Sequence, residues 1–483
     1  MIRSTVTDLP IAETAACLPH SRAGGLGWRH AGVVLVLLLN FAIRFGLERH
    51  EHVWYFDLRH KDFGLDWSVL LPVEIGGNQC VWITSSHLPI HLLVRAFGAS
   101  QTFYLLNALV IVVTYATSWL ISRSTTFTYT MTLGMALGTQ FHYSYVLSGT
   151  FSMYLQVAYL EIILLCGFKM LTARRRVGAW RAGFIGTTAF MSIGFDTWLN
   201  FYVFLLVASG FLAWFYARRG DRDRLRELRF AVLATTALLA VWLPVKLVTG
   251  KQHFTRGSEE EVILDYHGRP LLAIEDFASN LVTYTFMATT NYLPPALITS
   301  NSDFHYGSAA VMAEQHGYHR RQAQLVAMHH LFYWYFHAGM VFVAYLYLLG
   351  RTSSAAIGRH SLTCACIAVM LIGIGTGAAT HVMIKYRPYM SVPALSYKCM
   401  PSILAATYLI AFLLMKLRER LRWRRLSGTI IVACWAIILY SGLARPALLS
   451  DLQAKVGLAR LPVDPAARLL ELGQRGWRSL AGD

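Results

Sequence analysis

Apolar runs about as long as a lipid bilayer is thick recur from one end of this chain to the other. A helix crossing the hydrocarbon core needs roughly 17–25 predominantly apolar residues. Runs of that kind lie at about 31–47, 103–121, 126–145, 151–170, 180–195, 197–217, 230–248, 325–349, 361–383, 400–415 and 428–445. Segments without water around them must close their backbone hydrogen bonds internally, which favours helices. Charged residues make up 14% of the chain, against roughly 25% in soluble domains. The expected fold is an all-α polytopic membrane protein with about 11 transmembrane helices.

The formal net charge of +17 would suit nucleic acid, but its distribution excludes that partner. Most basic residues lie in short loops between apolar runs, where they set topology and meet anionic headgroups. With a cytoplasmic N-terminus, the inner loops hold Arg123, "KMLTARRRVGAWR" (169–181), "RRGDRDRLRELR" (218–229), Arg351 with Arg359, and "KLRERLRWRR" (416–425). Adding Arg3, Arg22 and Arg29, this side carries roughly twice as many basic residues as the much longer opposite loops. The organisation expected is therefore a cytoplasmic segment (1–30), without a cleavable signal pattern, followed by a transmembrane domain (31–446). Two long outer loops, 48–102 and 249–324, carry interfacial helices. The tail, 447–483, contains the amphipathic "PAARLLELGQRGWRSL", which suits a helix lying on the membrane surface.

The densest charge cluster follows the first apolar run directly. "YFDLRHKDFGLDW" (55–67) sets Asp57, Asp62 and Asp66 around Arg59, His60 and Lys61. A solvated loop would look like this, and so would a site. The next stretch, "VLLPVEIGGNQCVWI", reads as a short helix along the interface, with Glu74 decorating it. "HLPIHLLVRAFG" then leads into "SQTFYLLNALVIVVTY" and the second span.

That arrangement resembles the GT-C superfamily of membrane glycosyltransferases, near the protein O-mannosyltransferases and the bacterial lipid-linked sugar transferases. In that family a first outer loop carries an acid shortly after the first span, then a proline turn, a glycine and a second span. Here the turn is "HLPI" (87–90), the glycine is Gly98 and the span entry is "LLNAL" (105–109). "FHYSYVLSGTFSMYLQVAYL" (141–160) is similar to the family's entry into a later span. "KYRPYMSVPALS" (385–396) is similar to the segment that faces the lipid phosphate.

The resemblance implies sugar transfer from a polyprenyl-phosphate donor to a lipid, glycan or protein acceptor. The acceptor hydroxyl loses a proton as it attacks, and a carboxylate within hydrogen-bond reach can take it. Asp62 and Asp57 rank together for that role, with Asp66 behind. The leaving phosphate needs fixed positive charge, which a planar guanidinium supplies through two oxygens at once. Arg387, flanked by Lys385 and Tyr386 and held by Pro388 and Pro393, suits it; the alternative is an interfacial anchor. His87 of the turn, Asp196 in "GFDTWLN" and Lys398 complete the candidate substrate contacts. Asp196 is equally well placed as a helix N-cap. Many members carry a second acid in the next outer loop, where this chain has none. No cofactor is therefore assigned, and a divalent metal stays open.

Two features stand outside that reading. Glu161 lies inside the fourth span, where a carboxyl is costly and is either functional or a neutral, hydrogen-bonded tie between helices. A transporter or channel would line the middle of several spans with polar groups. A membrane acyltransferase would want an essential histidine in an apolar span, and His329 or His330 could serve. The expected location is a bacterial inner membrane, with the active face periplasmic or extracellular.

Overall fold

The computed structural model describes residues 30–41, 73–75, 78–80, most of 89–137, 151–173, 176–194, 198–218, 220–249, 400–420 and 424–443, with isolated residues of 270–281 and 363–375. Among the described residues the chain is helical apart from one small hairpin. The helices are α1 (His30–Phe41), α2 (Ala99–Ser122), α3 (Thr125–Leu137), α4 (Phe151–Thr172), α5 (Val177–Gly194), α6 (Trp198–Arg218), α7 (Arg222–Thr249), α8 (Met400–Arg420) and α9 (Arg424–Leu443). Four of them are long and apolar enough to cross a bilayer, over Tyr104–Ser122, Tyr154–Thr172, Arg222–Pro244 and Pro401–Glu419. The expected spans at 325–349 and most of 361–383 lie outside the described residues, as do 1–29 and the tail from 444.

Strands β1 (Val73–Ile75) and β2 (Asn78–Cys80) replace the interfacial helix expected here. They pair antiparallel, with Ile75 opposite Asn78. Between the strands the sequence reads Gly76-Gly77, one of the residue pairs that suit a two-residue hairpin connection. The apolar residues before and after the glycines read as a helix face only if that break is ignored.

Helix α2 packs on α3 and α4, α4 on α5, and α6 on α7, while α8 packs on α3. The main core joins Leu106 and Val110 of α2, Met131 and Met135 of α3, and Val157 and Leu160 of α4. Ile403 and Phe412 of α8 complete it. Helix α3 is the most enclosed: nearly all of it is buried. At Gly134 a Cβ would meet the Thr407 side chain at 2.7 Å, so a glycine lets α3 and α8 approach there.

Side-chain contacts bring the basic turns together. Arg224 Nε donates to the Leu171 carbonyl at 3.1 Å, tying the start of α7 to the end of α4. Arg181 grips Glu227 through two bonds of 2.8 and 2.5 Å, tying α5 to α7. Arg418 donates to Thr126 Oγ1 at 2.9 Å, tying the end of α8 to the start of α3. Lys169 lies within charge–charge reach of Arg123. His30 shares a hydrogen bond with the Tyr115 hydroxyl and packs edge-on against Trp119, which brings the start of α1 to the same end. The bundle therefore has a basic end. The far ends of the same helices, at Phe41, Ala99, Gly194, Thr249 and Met400, form the opposite end.

The turn between α6 and α7 is tighter than the charge run at 218–229 suggested, because most of that run is helix. Gly220 has φ +68°. Its N–H bonds the Ala217 carbonyl at 3.2 Å, and the Asp221 N–H bonds that of Tyr216 at 3.2 Å, a glycine-terminated helix end. Asp221 then caps α7, accepting from the Arg224 N–H at 3.2 Å. Gly220→Ala is expected to cost about 1 kcal/mol through its left-handed backbone. Gly186→Ala, inside α5 with open space at its Cβ, is expected to gain about 0.5–1 kcal/mol. Thermal denaturation in detergent micelles checks the opposite signs.

Candidate functional site

Asp57, Asp62, Asp66, His87, Asp196, Lys385, Tyr386, Arg387 and Lys398 all lie outside the described residues. What the structure gives is the frame to which their segments are joined. Asp57, Asp62, Asp66 and His87 fall between Phe41 and Ala99, Asp196 falls between Gly194 and Trp198, and Lys398 precedes Met400 by two residues. All five of these helix ends belong to the end of the bundle opposite the basic turns. Ile90, the last residue of the "HLPI" turn, is 1% exposed and belongs to the main core, so that segment is anchored on the helices.

Beneath this end lies a polar clamp. A buried amide costs several kcal/mol unless its hydrogen bonds are made. Asn40 in α1 and Asn107 in α2 are both buried. Asn107 Nδ2 donates to Asn40 Oδ1, and Asn40 Nδ2 donates to the Ala136 carbonyl at 2.8 Å. Three helices are thereby locked in register. Asn107 is the asparagine of "LLNAL", so in this chain it acts as a helix tie. The signal was present in the sequence as two asparagines inside apolar runs, but nothing in either run says which one meets the other.

Halfway along the bundle, Glu161 of α4 is buried, and the Thr114 hydroxyl of α2 donates to its Oε1 at 2.7 Å. Its Oε2 is buried with no hydrogen-bond partner among the described residues. The bond to Thr114 makes Glu161 a tie between α2 and α4, one of the two roles its position in the sequence allows. The buried threonines around the core do something simpler. Thr130, Thr132, Thr235 and Thr407 each donate to the carbonyl four residues back, at 2.7–2.8 Å. Polar side chains satisfied by their own helix pack as small apolar groups do.

Among the described residues no group of three or more His, Cys, Asp or Glu side chains converges to hold a metal ion. The described residues supply position and rigidity, and the candidate chemistry rests with the segments joined to them. No family model matches the chain, and no curated protein matches it.

Proposed function

We propose that this membrane protein is a glycosyltransferase that moves a sugar from a polyprenyl-phosphate donor to a lipid, glycan or protein acceptor. The reaction would take place at the end of the bundle remote from the basic turns. One observation supports the reading beyond the sequence motifs: the helix ends next to the early carboxylates (Phe41 and Ala99), to Asp196 (Gly194 and Trp198) and to Lys398 (Met400) all belong to one end of the bundle. Under the positive-inside rule the basic end faces the cytoplasm, so the remote end is the periplasmic or extracellular one.

In that arrangement Asp62 or Asp57 accepts the proton of the acceptor hydroxyl as its oxygen bonds to the anomeric carbon. The bond from that carbon to the phosphate oxygen breaks with its electron pair, and the phosphate gains negative charge. Arg387, with Lys385 and Tyr386, meets that charge. His87, Asp196 and Lys398 would orient the sugar and its carrier. The Asn40–Asn107–Ala136 clamp suits such a site, because it fixes the helices on which the first loop is mounted.

The test uses the full-length protein in vesicles, supplied with radiolabelled polyprenyl-phosphate sugars and candidate acceptors. Cysteines placed at positions 57, 62 and 387 report sidedness by labelling with an impermeant maleimide. Label reaching these positions only from the side of the basic turns would end the proposal.

A second reading, proton-coupled transport, is favoured by the buried Glu161, whose Oε2 has no hydrogen-bond partner among the described residues. Solute uptake that follows an imposed pH gradient, and is lost in Glu161→Gln, would select it.

A further inference from the structure

The outward face of α7 changes character once along its length. Exposed positions recur at helical spacing, first as Arg222, Arg226 and Arg229, then as Leu233, Ala237 and Val241. Among the described residues little protein covers this helix: 17% of the apolar stretch of α7 is buried, against 78% in α8. The charges on its inward side are paired, Glu227 with Arg181 and Arg224 with Asp221. The three outward arginines have no ion pair among the described residues, and Asp223 is the one acid exposed beside them in these two turns.

Length explains why the change falls where it does. Helix α7 has 28 residues, about 42 Å at 1.5 Å per residue, whereas the hydrocarbon core is about 30 Å thick. The excess of about 12 Å is the length of Arg222–Arg229, so with the uncharged run from Phe230 onward in the hydrocarbon this stripe stands in the headgroup layer. The neighbouring end of α6 has the chemistry of the same layer. Trp214 is half-exposed, and the Arg218 guanidinium lies 4.6 Å from its ring centroid, an aromatic anchor with a cation on its face.

We propose that the α7 stripe is a binding site for an anionic phospholipid of the leaflet at the basic end. Its phosphate is held by Arg222, Arg226 and Arg229, and an acyl chain lies along Leu233, Ala237 and Val241. Guanidinium forks hold phosphate oxygens in pairs. A zwitterionic headgroup brings its own ammonium to the arginines and is disfavoured. The site is independent of the glycosyltransferase reading, since it lies at the other end of the bundle.

The test reconstitutes the full-length protein in phosphatidylcholine vesicles with spin-labelled phosphatidylglycerol or spin-labelled phosphatidylcholine as probe. Electron paramagnetic resonance then measures the motionally restricted fraction. The wild type is expected to prefer the anionic probe on the order of tenfold at this site, after screening among headgroups. The combined Arg222→Gln, Arg226→Gln and Arg229→Gln variant is expected to bring the ratio close to unity. A control with equal charge loss elsewhere at the basic end, Arg123→Gln, Arg176→Gln and Arg425→Gln, keeps the preference. The single Arg226→Gln change lowers it about twofold and decides the matter if the triple variant does not fold. An unchanged preference in the stripe variants, or an equal loss in the control, overturns the proposal. So does displacement of the probe by inorganic phosphate, which would assign the arginines to a free anion.

Discussion

Replacing Asp62 or Asp57 with Asn is expected to slow sugar transfer from a polyprenyl-phosphate donor by about 10²- to 10⁴-fold, the usual contribution of a general base. The loss should fall on one of the two. The acid that takes the proton shows the full effect on kcat, and its neighbour, serving to bind, shows mainly a raised KM. Asp66→Asn is expected to change either constant less than about tenfold. Arg387→Gln should lower kcat by about 10²- to 10³-fold, because the charge it meets develops only as the sugar–phosphate bond breaks. Arg387→Lys keeps the charge but loses the two-pronged geometry, so it should fall between the two. Full activity in Asp57→Asn, Asp62→Asn and Arg387→Gln alike would remove the basis of the proposed function.

Thr114→Val should destabilise the helix bundle by about 1–3 kcal/mol. It removes the one hydrogen bond that the described residues give Glu161, and Oε2 is already without a partner among them. Glu161→Ala should cost about 2–4 kcal/mol, since it removes the same bond and also opens a cavity. Glu161→Gln preserves the shape and the acceptor, so its cost should stay below about 1 kcal/mol. A double-mutant cycle on Thr114 and Glu161 should return a coupling of about 0.6–2 kcal/mol, the range of hydrogen bonds between membrane helices. Denaturation in mixed micelles measures all four. A coupling near zero would mean that the two side chains do not hold α2 to α4.

The four long apolar helices are legible in the sequence because hydropathy reads a stretch able to cross the hydrocarbon directly. What it misses is helix that continues beyond the hydrocarbon. The run at 218–229 reads as a loop by charge, yet Asp221 caps α7 and the arginines from Arg222 onward are part of that helix. The hairpin at Val73–Cys80 escapes for a different reason. Its strands are three residues each, too short for alternation to emerge, and the Gly-Gly pair is the better signal. The clamp of Asn40 and Asn107 joins residues 67 positions apart, a pairing no local pattern announces. For the candidate site, residue chemistry names Asp57, Asp62 and Arg387. The structure contributes the common end of the bundle to which their segments are joined.

Helix α3 has a consequence for how the protein is made. Two of its threonines accept hydrogen bonds from partners that emerge from the ribosome much later: Arg418 donates to Thr126 across 292 residues, and Trp435 to Thr130 across 305. Until α8 and α9 are synthesised, α3 lacks the two late helices that pack on it among the described residues. A nascent chain halted before residue 400 should therefore hold α3 loosely and be a target for membrane quality-control proteases, with the bundle maturing only when its last two helices arrive.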